Sequence, residues 1–495
     1  MALDSVQSDP KLNFKDKYEA ELSDWIQLEK AAIALIHVTG SLWFDKSVEL
    51  VLFRNQLVDR SASEILNLHQ YAKQIVKKPI NVLDTLMLAK ELHKLNLAPA
   101  RIDVGRLNAE WIVERKNFKS AEEFIHDKFS TFIGKEKRNI IPRDVVLYGF
   151  GRIGRLLMRE LIAQAGKGEQ LRLRAVVTRS NSNDDISKRA DLLRNDSVHG
   201  AFPGTVIEDY ENKALVVNGH TVHMIASSDP AAVDYTSYGI HDALVIDNTG
   251  VVRDRDGLSL HMKSKGVSKV LLTAPGKGDV PNVVYGVNES AFDKQKESVF
   301  SAASCTTNAI VPVLTVIHKA LGIEKGHIET IHSYTNDQNL LDNYHKKYRR
   351  GRSAALNMVI TETGADKAVA KVIPELAGKL TGNAVRVPTP DVSLAILNLT
   401  VQKGTTKDEV NEVMRNAALQ GKLVEQIQYS VSNELVSTDL VGNPCASIFD
   451  SPATIVSKDS KSLVLYVWYD NEYGYSRQVI RYAKYLADVI RLVYY

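Results

Sequence analysis

Cysteine is almost absent from this chain, which carries only Cys305 and Cys445 among its 495 residues. The two cysteines lie far apart in the sequence, so neither a disulfide framework nor a cysteine-based zinc site is indicated. Such sparing use of cysteine is typical of a reducing compartment. The composition therefore predicts a cytoplasmic protein that holds no metal.

Long apolar runs are also missing. The longest candidate, residues 31–44, contains His37 and Gly40 and is shorter than the roughly 18–20 residues that span a bilayer. Residues 1–10 lack the basic stretch and apolar run of a secretory signal. We expect a protein that is neither secreted nor inserted into a membrane.

An excess of one charge is lacking as well. The 62 basic and 59 acidic residues leave a net charge of +3, which is too small to indicate nucleic acid or an anionic membrane as the main partner. Hydrophobic residues make up 44% of the chain, an ordinary value for a globular protein. The length suggests about three domains at roughly 150 residues each.

The first part of the chain, residues 1–138, has the pattern of helices. Apolar residues recur at three- and four-residue intervals in 24–36 and 61–76. Two pairs have the spacing of a capping box at a helix start: Ser61 with Glu64, and Ser120 with Glu123. The sequence predicts an all-helical N-terminal extension, followed by a polar linker at 134–138.

The pattern changes near residue 140, where short β-branched runs begin to alternate with helical segments. These runs are residues 144–147, 171–177, 243–247 and 269–272. Buried parallel strands with crossover helices have this appearance. We predict an α/β fold of the Rossmann type for residues 139–304.

Beyond residue 305 the strands lengthen and mix with helices, as at 395–401 and 462–468. This pattern favours an α+β domain over residues 305–474. Helical periodicity returns at 477–492, and we expect a C-terminal helix, 475–495, that packs back on the Rossmann domain.

A glycine-rich turn follows the first of these strands. Gly149, Gly151 and Gly154 form the pattern G-x-G-x-x-G between an apolar strand and a helical segment, 155–163. The first glycine permits a tight bend, the second admits a pyrophosphate, and the third lets helix and strand pack closely. The pattern alone is also compatible with an ordinary strand-to-helix turn; its setting favours dinucleotide binding.

Cys305 follows a strand-like pair, 299–300, and opens an apolar helical run, 309–321. A thiol at a helix N-terminus is expected to have a lowered pKa and to act as a nucleophile. Its small neighbours at 302–304 leave space for a substrate. The alternative is a buried structural cysteine, which is common, and Cys445 is interpreted in that way.

His332 ends a strand and begins a polar loop, where it could deprotonate Cys305 or serve a purely structural role. A basic cluster at 345–352 is either a solvated loop or a rim that attracts phosphate. Arg386 stands among apolar residues and prolines, and an arginine in such surroundings usually needs an anionic partner.

Taken together, these residues resemble the glyceraldehyde-3-phosphate dehydrogenase family. Six motifs occur in the family order over residues 143–495: GFGRIGR at 149–155, ASCTTN at 303–308, HSYTNDQ at 332–338, TGA at 363–365, RVPTP at 386–390 and WYDNEYGYS at 468–476. The resemblance does not cover the N-terminal extension, for which assembly and regulation both remain open.

The resemblance implies the chemistry of the site. Cys305 would attack an aldehyde, and His332 would serve as its base while hydride passes to a nicotinamide cofactor and phosphate releases an acyl phosphate. Residues implied to contact the cofactor are Gly149, Gly151, Arg152, Ile153, Gly154, Thr273 and Asn471. Residues implied to bind the substrate phosphate or inorganic phosphate are Ser304, Thr306, Thr335, Thr363, Gly364 and Arg386.

The chain departs from the family at the cofactor's ribose. An acidic side chain usually follows the second Rossmann strand and binds the ribose hydroxyls, but here the segment 176–180 reads VVTRS. Arg179 could instead hold a 2′-phosphate, or it could point to solvent. We therefore expect NAD or NADP as cofactor, with NADP use inferred from Arg179.

The resemblance further implies a homotetramer that acts reversibly in glycolysis or gluconeogenesis on glyceraldehyde 3-phosphate and inorganic phosphate. Two other functions remain open from the sequence. An erythrose-4-phosphate dehydrogenase would share the motifs, and a non-catalytic dinucleotide-sensing protein would keep the nucleotide site. The presence of Cys305, His332 and Arg386 argues against the second alternative.

Overall fold

A computed structural model describes residues 14–134 and 138–495 of the chain. Within these residues the chain forms two compact units. The N-terminal unit comprises the described residues up to Asn139 together with Arg491–Tyr495, and the second unit comprises Ile140–Ile490. Most of the expected linker at 134–138, and the whole of 1–10, lies outside the described residues.

The helices of the N-terminal unit are α1 (Phe14–Lys46), α2 (Ala62–Tyr71, continued by a π-helical turn at Ala72–Val76), α3 (Val82–Lys94), α4 (Val104–Glu114) and α5 (Ala121–Phe129). The helices predicted at 24–36 and 61–76 are confirmed. Ser61 and Glu64 form a reciprocal capping box at the start of α2. Ser120 caps α5, but the Glu123 carboxylate accepts a hydrogen bond from Lys119 N rather than from Ser120 N.

The N-terminal unit is nevertheless not all-helical, and that prediction is wrong. Strands β1 (Val48–Leu52), β2 (Asn55–Gln56), β3 (Ala100–Asp103) and the C-terminal strand Leu492–Tyr494 form a sheet in the order β2, β1, β3, C-terminal strand. Every residue of β1 is buried. A strand with two buried faces shows no alternation of apolar and polar residues, so the pattern offered no signal.

The C-terminal strand pairs in parallel with β3, although nearly four hundred residues separate the two in sequence. Arg491 anchors it: the guanidinium lies 4.4 Å from the centre of the Trp43 ring and 3.4 Å from the Glu49 carboxylate. The expected helix at 475–495 is therefore wrong in its second half. The helix ends at Leu486, and the last residues of the chain complete the N-terminal sheet.

Deletion of residues 491–495 is expected to destabilise the N-terminal unit. Among the described residues, the deletion leaves β3 paired only to β1 and leaves Glu49 with Arg101, at 3.8 Å, as a cation partner. Loss of a partner from a buried ion pair is destabilising, by at most about 3–5 kcal/mol. Hydrogen exchange should quicken in β3 but not in 140–490. Removal of Tyr495 alone, which lies beyond the strand, is the control. Unchanged protection of β3 in the longer deletion would contradict this account.

The first sheet of the second unit contains the nucleotide-binding topology. Its strands, with a small separate pair at β6 and β7, are β4 (Arg143–Tyr148), β5 (Leu171–Thr178), β6 (Asn195–Asp196), β7 (Gly200–Ala201), β8 (Val206–Asp209), β9 (Ala214–Val217), β10 (His220–Ala226), β11 (Ala243–Asp247), β12 (Val267–Leu272) and β13 (Val299–Ser301). The sheet order is β13, β12, β11, β4, β5, β10, β9, β8. Strands β13 to β10 in this order are parallel, and the order reverses at β4, where such sheets bind ligands.

The second sheet follows and is mixed. Its strands are β14 (Ile323–Ser333), β15 (Val359–Thr361), β16 (Leu380–Val387), β17 (Ser393–Val401), β18 (Ile427–Ser430), β19 (Ser447–Asp450), β20 (Ile455–Val456) and β21 (Ser462–Tyr469). The sheet order is β15, β16, β14, β17, β21, β19, β18, with β20 paired to β21. The predicted α/β and α+β parts of the fold are confirmed.

The helices of the second unit are α6 (Arg152–Ala163), α7 (Asn183–Arg194), α8 (Arg255–Leu258), α9 (Cys305–Leu321), α10 (Ala365–Val372), α11 (Lys407–Leu419) and α12 (Tyr473–Leu486). Leu157 and Leu161 of α6 share a hydrophobic core with Val479 and Ile480 of α12, so the last helix packs on the nucleotide-binding sheet. Among the residues described, no helix combines the length and the hydropathy needed to cross a bilayer.

Candidate active site

The glycine-rich turn leaves the carboxyl end of β4 in the form that a dinucleotide needs. Gly149 has a φ of +98°, which an L side chain rarely adopts. A Cβ on Gly154 would lie 2.6 Å from the Gly149 carbonyl oxygen, whereas a Cβ on Gly151 would meet no atom within 4 Å. The turn is therefore tight where helix and strand meet and open at the N-terminus of α6, where a pyrophosphate can approach the N–H groups of Arg152 and Ile153.

Beside this turn lies a cleft of about 460 Å³ at the carboxyl ends of β5 and β10. Arg179, which directly follows β5, lines it together with Thr178. The lining also includes Arg189 from α7, which belongs to none of the sequence motifs and lies ten positions beyond Arg179. The cleft thus extends from the glycine turn to the end of β5, the second strand of this sheet, where folds of this type bind the ribose of a dinucleotide.

A bend in the backbone presents Cys305 at the start of α9. Ala303 has a φ of +55°, an uncommon value for a residue with a Cβ, and the Tyr475 hydroxyl holds it by donating to its carbonyl oxygen at 3.0 Å. The Ser304 hydroxyl caps the helix by accepting from Thr307 N at 3.0 Å. Cys305 therefore occupies the first turn of α9, half-buried, as the sequence predicts.

The structure brings Cys305 and His332 together. The distance from Cys305 Sγ to His332 Nε2 is 3.6 Å, although 27 residues separate the two positions. His332 lies at the end of β14 and is buried, with 6% of its surface exposed. This is the distance and the element geometry that a thiol and its base require.

Burial determines the ionisation of both groups. It raises the pKa of the Cys305 thiol, although Arg386 acts in the opposite direction. Burial and then Arg386 lower the pKa of His332 to about 3. The lowered thiol pKa expected from the helix terminus is therefore wrong. At neutral pH the pair is a thiol beside a neutral imidazole rather than a preformed ion pair.

Arg386 lies directly beside His332 because the two residues are register partners on β16 and β14. Arg386 Nη1 lies 2.8 Å from His332 Nδ1 and donates to the Ser333 carbonyl oxygen at 2.7 Å. The same His332 Nδ1 lies 2.8 Å from that carbonyl oxygen. One nitrogen cannot accept from a guanidinium and donate to a carbonyl at once, so the position of Arg386 decides the tautomer of His332.

Asn471 is connected to this cluster through two serines. Its side-chain carbonyl oxygen accepts a hydrogen bond from the Ser393 hydroxyl at 2.7 Å. That hydroxyl in turn accepts from Ser333 N at 3.1 Å. The contact fixes the orientation of the Asn471 carboxamide and leaves its amide nitrogen for a ligand.

The remaining candidates differ in how they relate to the thiol. The Thr306 hydroxyl lies 3.9 Å from Cys305 Sγ and shares a hydrogen bond with the Tyr469 hydroxyl at 3.1 Å. Thr335 pairs locally with Asp337, and the Thr363 hydroxyl, just before α10, accepts from Ala365 N at 3.2 Å. Gly364 stands at the N-terminus of α10 with open space around it. Thr273 follows β12 and donates to the Asp247 carbonyl oxygen at 3.1 Å.

A buried ionic cluster, not anticipated from the sequence, stands behind the glycine turn. Arg152 binds the Glu472 carboxylate at 2.7 Å, and His199 Nε2 lies 3.2 Å from Asp391 and 3.4 Å from Asp470. Burial opposes the charge on His199, but hydrogen bonds to the two aspartates raise its pKa to about 10. His199, Asp391 and Asp470 also lie close enough to one another to hold a metal ion.

Comparison with known proteins agrees with this geometry. The model of the glyceraldehyde 3-phosphate dehydrogenase NAD binding domain matches residues 143–255, and the model of the C-terminal domain of the same family matches residues 304–471. Together the two matches cover more than half of the chain and contain the glycine turn, Arg179, Cys305, His332 and Arg386.

Individual relatives extend the match. A glyceraldehyde-3-phosphate dehydrogenase-like protein of Pseudomonas aeruginosa is 48% identical over 458 residues, 92% of this chain and 98% of the relative. That alignment is too long to lie within Ile140–Ile490, so it includes part of the N-terminal unit. Glyceraldehyde-3-phosphate dehydrogenases of Zymomonas mobilis and Bacillus subtilis are 40% and 41% identical over 70% and 69% of this chain, and over 99% and 98% of their own lengths. The chain belongs to the glyceraldehyde-3-phosphate dehydrogenase family.

Proposed function

We propose that this protein is a phosphorylating glyceraldehyde-3-phosphate dehydrogenase that acts in the cytoplasm. The observation that carries the proposal is the contact between Cys305 Sγ and His332 Nε2 at 3.6 Å, with Arg386 at the second ring nitrogen. A nucleophile, its base and a neighbouring cation are the parts that oxidation of a phosphorylated aldehyde requires. The experiment is phosphate-dependent turnover of glyceraldehyde 3-phosphate in the presence of cofactor.

In the first step His332 Nε2 takes the thiol proton while Cys305 Sγ forms a bond to the aldehyde carbon. The protonated His332 then donates this proton to the developing alkoxide oxygen, which gives a thiohemiacetal. The bound cofactor would accept the hydride that leaves the former aldehyde carbon. His332 takes the hydroxyl proton as the thioester forms. An oxygen of inorganic phosphate then attacks the thioester carbon, the C–S bond breaks, and Cys305 leaves as a thiolate that His332 reprotonates.

Arg386 has two parts in this scheme. Its side chain is half-buried, its Nε has no hydrogen-bond partner among the described residues, and the guanidinium suits the phosphate of the substrate. When that phosphate draws Arg386 from the ring, His332 Nδ1–H can donate to the Ser333 carbonyl oxygen. Nε2 then faces Cys305 as an acceptor, which is the tautomer that a base needs.

The site fits a nicotinamide dinucleotide, because the open position at Gly151 admits a pyrophosphate. The residues proposed to hold it are those of the glycine turn with Arg179, Thr273 and Asn471. Ser304, Thr306, Thr335, Thr363, Gly364 and Arg386 are proposed to bind the two phosphates. Asn471 is suited to the nicotinamide carboxamide, since Ser393 fixes its side-chain orientation.

We further propose that NADP is accepted as well as NAD. The support is Arg179 at the end of β5, where an NAD-specific site has a carboxylate. Replacement of Arg179 by Asp should reduce kcat/KM for NADP by about ten- to hundredfold, the value of one charge-assisted hydrogen bond. The ratio of kcat/KM for the two cofactors in both proteins measures this. A preference for NAD by roughly a hundredfold in the unaltered protein would contradict the proposal.

The enzyme is proposed to assemble as a homotetramer. Between β14 and β15 the second unit exposes large apolar side chains: Leu340, Leu341, Tyr344, Tyr348, Leu356 and Met358. An exposed apolar segment of this size is typical of an interface, and sedimentation analysis tests the assembly. All proposed site residues lie in Ile140–Ile490, so the N-terminal unit is proposed to serve assembly or regulation rather than chemistry.

Erythrose 4-phosphate dehydrogenase remains the alternative within the same chemistry. It would use the same thiol, base and cofactor, and the ratio of kcat/KM for the two aldehydes distinguishes it.

A further inference from the structure

We propose that Arg189 of α7 joins Arg179 in holding a phosphate ester on the adenosine ribose of the cofactor, and so determines cofactor specificity. The inference deepens the cofactor choice proposed above and rests on it for the identity of the ligand. It concerns a residue that no motif of the sequence indicates.

The topology brings the two arginines to one cleft. β5 and β10 are parallel neighbours, with Ala226 paired to Thr178, so the segments after both strands leave the same edge of the sheet. The cleft at this edge is lined by Thr178, Arg179, Arg189, Ser227 and Ser228. Two guanidinium groups and two serines thus surround the space beyond the second strand, where the adenosine ribose of a dinucleotide lies.

Helix α7 fixes the position of Arg189. Ser182 caps the helix, and Ile186, Ala190 and Leu193 bury one face in the core of the first sheet. Arg189 lies next to that face, three residues after Ile186 and one before Ala190, and is only partly exposed. Its stem is therefore held by a packed helix rather than by a loop, which preorganises the guanidinium for a ligand.

In the described part of the chain neither arginine forms an ion pair, and the one carboxylate that acts on Arg189, Asp185 four residues earlier on α7, does so only electrostatically. The structure pairs no carboxylate with either guanidinium, and Arg189 Nε is shielded from solvent without a hydrogen-bond partner. The one carboxylate in the cleft lining, Asp247, accepts from Thr249 N at 2.8 Å and contacts His261 Nε2 at 3.1 Å. The hydrogen bonds of Asp185 go to Ser180 and Ser182, with the Ser182 hydroxyl donating at 2.8 Å, and these outweigh its attraction to Arg189.

A shielded guanidinium nitrogen without an acceptor is costly, and a bound anion removes that cost. Arginine forks match the oxygens of a phosphate. The pyrophosphate of the cofactor is accounted for by the glycine turn, so the anion here is a further phosphate on the ribose. A ribose with free hydroxyl groups would leave both guanidiniums without a hydrogen-bonded anion.

The test measures binding without catalysis. Adenosine 2′,5′-bisphosphate and adenosine 5′-monophosphate are titrated calorimetrically into the full-length protein and into Arg189→Gln, Arg179→Gln and the double variant. Arg189→Gln should weaken the bisphosphate by about ten- to hundredfold and leave the monophosphate unchanged. The matched control is Lys188→Gln on the exposed face of the same helix, which should bind both probes as the unaltered protein does.

Equal loss of both probes in Arg189→Gln, or no loss of either, would overturn the inference. So would a bisphosphate preference that disappears in Arg179→Gln and stays whole in Arg189→Gln. These outcomes are independent of the proposed reaction. If the protein shows no turnover but prefers the bisphosphate through Arg189, the inference holds although the proposed reaction fails. If it is an active dehydrogenase but binds both probes equally, the inference fails although the proposed reaction holds.

Discussion

Replacement of Cys305 by serine is expected to abolish aldehyde oxidation almost completely, by on the order of 10⁴–10⁶-fold in kcat. Serine preserves the shape of the N-terminus of α9, but its hydroxyl is much less acidic than a thiol, and a neutral imidazole 3.6 Å away deprotonates it poorly. Steady-state turnover with saturating cofactor and phosphate measures the effect.

The matched control for this variant is Cys445→Ser. Cys445 is buried and lies in the loop before β19, outside the proposed site, so its replacement should leave kcat close to that of the unaltered protein. Mass spectrometry after iodoacetamide treatment should show one label, on Cys305, and a parallel loss of activity. Full activity in a protein that is quantitatively labelled at Cys305 would rule out a nucleophilic thiol.

Replacement of His332 by asparagine is expected to lower kcat by about 10²–10⁴-fold, the usual share of general acid–base catalysis. Because the pKa of His332 is about 3, the imidazole is neutral and available as a base throughout the neutral range. Burial raises the pKa of the thiol, so Cys305 depends on that base until the solution is alkaline.

The pH profile of alkylation separates this role from a structural one. In the unaltered protein His332 assists the reaction of iodoacetamide with Cys305 at neutral pH. In His332→Asn the rate should be low there and should rise only as the pH approaches the raised pKa of the thiol. His327→Asn, on the exposed part of the same strand, is the control. Identical profiles in all three proteins would mean that His332 does not activate the thiol.

Much of the second unit could be predicted from the sequence, because its signals are local. Strand β11 has the predicted bounds, and β4, β5 and β12 differ from prediction by one or two residues at their ends. The glycine turn needs three residues within six positions, and its geometry follows from strand, turn and helix alone. Cys305 likewise opens a helix that its apolar run already indicated.

The N-terminal unit was predicted less well, for a reason of distance. The strand that pairs with β3, and the Arg491 that pairs with Glu49 of β1, both come from the far end of the chain. A pairing of this kind depends on tertiary contacts that no periodicity records. The prediction of a helix through residue 495 is wrong for the same reason, since residues 492–494 are extended because they pair with β3.

The ionisation of the site also could not be derived from sequence. A cysteine at a helix N-terminus favours a thiolate, but the opposing effect of burial appears only when Cys305 is packed beside Tyr469, Tyr475 and His332. The role of Arg386 similarly depends on the register that places it opposite His332. The sequence could identify these residue types and their order; the three-dimensional structure decides which protonation states they hold.

The most direct test of the central claim is the identity of the product. The full-length protein is incubated with glyceraldehyde 3-phosphate, oxidised cofactor and inorganic phosphate, and the products are followed by phosphorus NMR. We expect an acyl phosphate formed in equal amount to the reduced cofactor, and, without phosphate, a thioester on Cys305 detectable by mass spectrometry. Steady reduction of cofactor that needs no phosphate and releases a free acid, with no acyl group on Cys305, would contradict that claim.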